Sequence, residues 1–275
     1  MDIVPVPASD QVVARYAAYL ARRLKPSSIK QYLNIIRLLH LECQLPNPCE
    51  DSWYLKITLA GIDKVKGTEI KRKQPVTPEQ LLVLQSKLDF ASNNDCIFWA
   101  ACLTMFFGLL RKSNLFGPDS EGWKKDKHLT RNCVRVSDIG LKIICVWSKN
   151  NQSRERVHTI TLERLTGHSL CPVAAVENMY HVLGEKEADS KAFPMTGSAF
   201  NKKFRALLGG CESVSSHSLR RGGATWALSC GTPGEIVKIM GDWKSACYLN
   251  YLDQIPDNVV DRYRRLFSSR LPLNT

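Results

Sequence analysis

Residues 217–251 read HSLRRGGATWALSCGTPGEIVKIMGDWKSACYLNY, and they hold the side chains needed to break a phosphodiester by covalent catalysis. His217 and Arg220 stand three apart, as one helical turn requires. Both can bond to phosphate oxygens, and the planar fork of Arg suits that geometry. Trp243 offers an indole N–H. Tyr251 follows eight residues later with a phenol that can attack phosphorus. Tyr248 lies one helical turn earlier and is a rival nucleophile. A phosphodiester gains a second negative charge in its transition state, so a complete site also needs a second Arg and a Lys elsewhere in the chain.

Each of these residues has a plainer alternative. H-x-x-R arises by chance at a helix N-terminus with its Arg in solvent. A Trp is often a core aromatic, and a Tyr is often half-buried. The surroundings favour chemistry. Ser215 or Ser216 can cap a helix, which places His217 and Arg220 in a first turn already favourable to an anion. Gly222 and Gly223 follow where a side chain would block close approach of another backbone. Leu219 and Trp226 are expected to pack inward. A further helix ends at Met240-Gly241, just before Trp243.

The elements that must position this stretch fall into two parts. In residues 9–62, Ser9 caps a helix with Val12, Val13, Tyr16, Leu20 and Leu24 on one face. A second helix opens at Pro26–Ser28, with Ile29, Tyr32, Leu33, Ile36 and Leu39 facing inward. The run 63–76, DKVKGTEIKRKQPV, is basic and has little apolar periodicity, as a linker does. Thr77-Pro78-Glu79-Gln80 then starts a helix with a capping box. The expected division is a helical domain over 1–66, a linker over 67–76 and a second domain over 77–275. That domain opens with helices near 78–88 and 94–110. Three β-rich stretches follow at Asn132–Val136, Leu141–Trp147 and Arg156–Leu162, read as an antiparallel sheet. Helices are expected near 172–183, 198–208, 217–229, 233–240, 245–252 and 258–268. The fold class is mainly α with one small three-stranded antiparallel sheet, α+β.

The chain of 275 residues carries a formal net charge of +12 and a pI near 9.3. Residues 1–73 hold 12 Lys and Arg against 7 Asp and Glu, so the excess is not confined to the larger part. Spread in this way it suits a polyanionic partner such as nucleic acid, with a basic solvated surface as the alternative. Ten Cys occur without a C-x-x-C pair or a His at finger spacing. Cys102 and Cys145 sit in apolar runs and read as small buried hydrophobes in a reducing compartment. No signal peptide is visible, and the apolar run from Cys96 to Leu110 is too short to span a bilayer. No acidic metal-binding cluster is visible either, and no cofactor is expected.

The HSLRR…GDWKS…YLNY pattern resembles the tyrosine recombinase (phage-type integrase) family, and most closely the recombinases of eukaryotic crypton-type mobile elements. That family has a His-x-x-Arg box, then Gly followed by His or Trp, then the nucleophilic Tyr. Its usual Trp-to-Tyr spacing favours Tyr251 over Tyr248. The resemblance asks for a first Arg after a buried helix, and FFGLLRKSNLF supplies Arg111, with Asn114 in place of the usual acid. It asks for a Lys between the second and third strands, and VWSKNNQSRERV supplies Lys149. Asp242 stands where many relatives have His, so the role in the third box passes to Trp243.

The resemblance covers nearly the whole chain and implies a DNA strand transferase. Arg111 and Arg220 would clamp the phosphate, and His217 would bond to it or manage the tyrosine proton. Trp243 would donate its N–H, Tyr251 would form a 3′-phosphotyrosyl bond, and Lys149 would protonate the leaving 5′ oxygen. The implied partner is double-stranded DNA, bound as a homotetramer on paired sites, with a monomer when free and no membrane. Lys30, Arg37, Lys64, Lys66, Lys71, Arg72 and Lys73 are candidate phosphate contacts. The segment 258–269, with Val259, Val260, Tyr263, Leu266 and Phe267 on one face, would dock on a neighbouring subunit or on its own domain. The nucleus is the expected location if the source is eukaryotic, and the cytoplasm otherwise. The alternatives are a type IB topoisomerase, which shares this chemistry, and a domesticated DNA-binding protein that no longer uses it.

Overall fold

Ser9 and Ser52 do at two helix starts what their side chains favour: each Oγ accepts from a first-turn N–H, of Val12 and Leu55, at 3.3 and 3.1 Å. The computed structural model describes residues 6–67, 73–117, 122–147, 156–209, 214–245 and 248. The chain divides into two compact units, 1–71 and 72–275.

The described residues of the first unit form three helices, α1 (Asp10–Leu20), α2 (Pro26–Glu42) and α3 (Trp53–Lys66). Val13, Ala17, Ile29, Leu33, Leu55 and Ile62 form its core. Tyr32 and Leu39 were expected inward but are exposed. The inner face of α2 instead follows Ile29, Leu33, Ile36 and His40, because a 3.6-residue period rotates the stripe away from a strict repeat over so long a helix. His40 can be buried because both ring nitrogens are satisfied: Nε2 accepts from the Ala8 N–H and Nδ1 donates to the Ile36 carbonyl, each at 2.9 Å. α3 runs on to Lys66 before Gly67 turns away at φ 70°. Residues 63–66 are therefore helical and not part of an open linker.

Near the start of the second unit Val76 is buried, and its N–H donates to the Ser218 carbonyl at 3.0 Å. Thr77 and Gln80 close the expected capping box on α4 (Pro78–Gln85). α5 (Asn93–Phe107) is buried from Cys96 to Phe106 and packs on both α7 (Pro172–Leu183) and α9 (Ser216–Ser229). A short α6 (Lys112–Phe116), not anticipated from periodicity, follows α5. The strands are β1 (Val134–Val136), β2 (Gly140–Cys145) and β3 (His158–Glu163), in the order β1-β2-β3 and antiparallel throughout. The β2–β3 pairing runs from Gly140 opposite Glu163 to Cys145 opposite His158. Leu141, Ile143 and Cys145 are buried, and α7 packs against all three strands. α8 (Gly197–Leu207) and α10 (Gly234–Met240) complete the described α-helices. Among the described residues no helix is long and apolar enough to cross a membrane.

Candidate active site

α9 sits deep because two of its residues have no side chain. A Cβ on Gly222 would fall 2.0 Å from the Val76 carbonyl oxygen, and one on Gly223 would fall 1.8 Å from that of Phe106. Nothing larger than hydrogen fits, so the helix backbone lies against α5 and the chain before α4. Ser215 is the N-cap, and the Ser218 hydroxyl accepts from the Ser215 N–H at 3.1 Å. Leu219 is buried, as expected from the sequence. Trp226, also expected inward, is 42% exposed. It stands between buried Ala224 and Leu228, about 200° around the helix from each, so it faces the other way.

This seat holds Arg220 only 2% exposed. Its Nη1 donates to the Leu109 carbonyl and its Nη2 to the Gly241 carbonyl, each at 2.5 Å. Its guanidinium stacks on the Trp243 ring, 4.0 Å from the ring centre. One acceptor, Leu109, and the residue just after the other are left-handed, while Gly241 itself has φ −83°. Leu109 has φ 50°, and Asp242, just after Gly241, has φ 52°. Such angles cost a non-glycine residue about 1–3 kcal/mol and persist only where the surroundings impose them. The Leu109 carbonyl and the Gly241 carbonyl next to Asp242 both meet the same buried cation.

Trp243 covers the other side. A Cβ on Gly241 would fall 1.8 Å from its ring, so that glycine makes room for the indole. The ring packs with Leu109, Ala224, Leu228 and Val237.

Arg111 is presented differently. It follows the turn that ends α5 and stands at the N-cap of α6, partly exposed. Asn114 accepts from the Arg111 N–H through Oδ1 at 2.9 Å. An amide oxygen thus fills an accepting position that a carboxylate could fill equally well, which accounts for Asn114 in place of an acid.

His217 is exposed by area, yet enough protein surrounds its ring to disfavour the charged form. That desolvation, and then the charges of Arg220, Arg111 and Arg221, hold its pKa below the usual 6.5. The four residues therefore share one electrostatic neighbourhood. Arg221 is buried, and the sequence drew no attention to it.

Tyr248 is buried against Trp243, with ring centres 6.3 Å apart, and lies over Gly234 at the start of α10. Desolvation, and then the nearby Glu235 carboxylate, raise its pKa, so its phenolate is disfavoured. Tyr251 and Lys149 lie outside the described residues.

Two further residues meet the Gly241–Trp243 turn, one from the start of β3 and one just before it. Arg156 pairs with the buried Asp242 carboxylate, and the His158 ring bonds to the Met240 carbonyl at 3.0 Å. In sequence Arg156 is one cation among several in a basic run, and nothing there sets it apart.

The candidate phosphate contacts of the first unit lie on α2 and α3. Lys30 pairs with Asp63 at 3.7 Å, and Arg37 donates to Asn34 at 3.0 Å. Lys66 bonds to the Leu24 carbonyl at 3.1 Å, and Lys64 is exposed. Lys73, in the second unit, is also exposed. Lys71 and Arg72 lie outside the described residues.

No known protein family's sequence profile matches the chain, and no curated protein matches it. Solved structures do. The Tn1549 transposon integrase in complex with transposon right end DNA is 14% identical, over 95% of this chain and 86% of that one, with a TM-score of 0.62. The XerH site-specific recombinase bound to palindromic difH substrate, in a post-cleavage complex, is 13% identical over 94% of this chain and 72% of that one, also with a TM-score of 0.62. The likeness is one of fold: the chain has the fold of the tyrosine recombinases.

Proposed function

Taking the tyrosine-recombinase fold as premise, we propose that this protein is a site-specific DNA recombinase or integrase that cuts and rejoins strands through a 3′-phosphotyrosyl bond. What supports this most is Arg220, a buried cation held between two carbonyls and a Trp, with Arg111 and His217 in its electrostatic field. A cation fixed in advance needs no reorganisation when charge develops on a phosphate. The structural neighbours are themselves an integrase and a recombinase bound to DNA.

In this reading Arg111 and Arg220 bind the non-bridging oxygens, and Trp243 donates to one of them. The Tyr251 oxygen attacks phosphorus and gives up its proton to His217, which is neutral near pH 7 because its pKa is lowered. The bond from phosphorus to the 5′ oxygen breaks, and Lys149 supplies that oxygen with a proton. The bond energy is kept in the phosphotyrosyl link, so rejoining needs no nucleotide cofactor. Tyr248 is a poor candidate for the attack, being buried, with its phenolate disfavoured beside Glu235. The substrate is duplex DNA, gripped by both units and brought together at paired sites by four copies. Lys30, Arg37, Lys64, Lys66, Lys71, Arg72 and Lys73 contribute along the phosphates.

The test is a nicked suicide duplex carrying the target site, sought in the DNA flanking the gene. Wild type should form a covalent adduct, Tyr248→Phe should keep forming it, and Tyr251→Phe should bind without forming it. Adduct formation by Tyr251→Phe would overturn the assignment. Supercoil relaxation without two-site recombination would assign the same chemistry to a topoisomerase.

A further inference from the structure

The turn that carries Gly241 and Trp243 is gripped from two sides. On one side is Arg220: the Gly241 carbonyl accepts from its Nη2, and the Trp243 ring lies against its guanidinium. On the other side is the start of β3. His158, the first residue of that strand, donates from Nε2 to the Met240 carbonyl at 3.0 Å, and Arg156, two residues earlier, pairs with the Asp242 carboxylate. The grips alternate along the turn: residues 240 and 242 are held by the strand end, and residues 241 and 243 hold the cation. The Asp242 carboxylate is nearly sealed, with 6% of its side chain exposed, while Arg156 is half open at 51%. A buried charge is costly unless paired, so this carboxylate ties the strand end to the turn.

Local bonds shape the turn. The Asp242 N–H donates to the Ile239 carbonyl and the Trp243 N–H to the Lys238 carbonyl, each at 3.1 Å. They do not set how far the turn stands from α9, and α10 is only seven residues long. A site group held to a fraction of an ångström needs support from outside its own loop. We infer that Arg156, His158 and Asp242 are positioning residues, by which the start of β3 holds the 240–243 turn so that the Gly241 carbonyl and the Trp243 ring set where the Arg220 guanidinium meets phosphate. This inference rests on the proposed recombinase chemistry and adds to it a reason for Asp242 at this position. Asp suits it twice: it tolerates left-handed backbone, and its carboxylate reaches the Arg156 guanidinium.

The test reads Arg220 by its chemistry and by its resonance. Two nicked duplexes differ at the scissile phosphate: one is an ordinary phosphodiester, and the other has a methyl group in place of one non-bridging oxygen. The methyl group removes the charge that Arg220 must meet, so a misplaced guanidinium matters less there. Asp242→Asn keeps a residue suited to positive φ, and Arg156→Gln alters the half-exposed partner, so one variant remains informative if the other fails to fold. Each should cut the diester about 10²-fold more slowly and the methylphosphonate within about threefold of wild type, with DNA affinity unchanged. Arg156→Lys and His158→Gln keep a donor and should recover part of the diester rate that Arg156→Gln and His158→Ala lose. By NMR the Arg220 Nε–H, displaced by the Trp243 ring current, should move towards an ordinary arginine position in the slow variants. That measurement decides alone if wild type leaves the methylphosphonate uncut. Equal loss on both substrates, no loss on either, or an unmoved Arg220 resonance would overturn the inference while leaving the recombinase reading intact. Failure of wild type to cut the diester would instead sink the reading on which it rests.

Discussion

Arg220 and Arg111 both lower the pKa of His217, yet the protein holds them in opposite ways. Arg220 is sealed, bonded to two carbonyls and stacked on an indole. Arg111 stands at the open end of a five-residue helix, where its backbone is fixed by Asn114, whose Oδ1 accepts from the Arg111 N–H and whose N–H donates to the Arg111 carbonyl. The first is part of the core and part of the site at once. The second can be removed without opening the core. A buried cation supplies a fixed field, and a partly exposed one supplies reach.

The sharpest way to break this contrast is to remove each Arg in turn. Arg220→Ala leaves two buried carbonyls without their donor, and should cost about 4 kcal/mol of stability as well as covalent capture. Arg111→Ala should cost under about 1 kcal/mol and still slow capture by about 10²–10³-fold. Chemical denaturation beside adduct formation checks both, and equal stability losses would erase the distinction.

The seat of Arg220 can be tested through glycine. Gly223→Ala drives a methyl into the Phe106 carbonyl and should destabilise by about 3 kcal/mol. Gly61→Ala in α3 meets nothing within 4 Å and should stabilise by about 0.5–1 kcal/mol. Thermal unfolding of the two variants should move in opposite directions.

The smallest effect concerns His217. Its folded pKa lies below the unfolded value of about 6.5, so the unfolded chain binds the proton first as pH falls. Stability from this group is therefore intact above pH 6.5 and declines as pH drops towards the lowered pKa. Imidazole titration by NMR should give a midpoint below 6.5, rising towards it in Arg221→Gln. A midpoint at or above 6.5 in wild type would mean that the arginines do not act on the ring.

Much of the architecture was legible in the chain. The three-stranded sheet lay in β-rich stretches separated by turn residues, and the Thr77–Gln80 capping box in four residues. The close approach at Gly222 and Gly223 could be anticipated, because two adjacent glycines inside a helix are costly without a neighbour that needs the space. Other features were less readable. Tyr32 and Leu39 matched an apolar stripe but lay outside it, while His40 entered because its ring found two backbone partners. Trp226 is apolar and still faces out. α6 is too short for periodicity to reveal.

The candidate site divides along the same line. Sequence alone determined which groups are present and their order: Arg111, Lys149, His217, Arg220, Trp243 and Tyr251. Residue chemistry and short helical spacing are local properties. Only the tertiary structure decided that the Leu109 and Gly241 carbonyls meet at Arg220, that Asn114 caps Arg111, and that Arg156 reaches Asp242. Most of these join residues tens of positions apart. Their partners are chosen by packing, which no local pattern encodes.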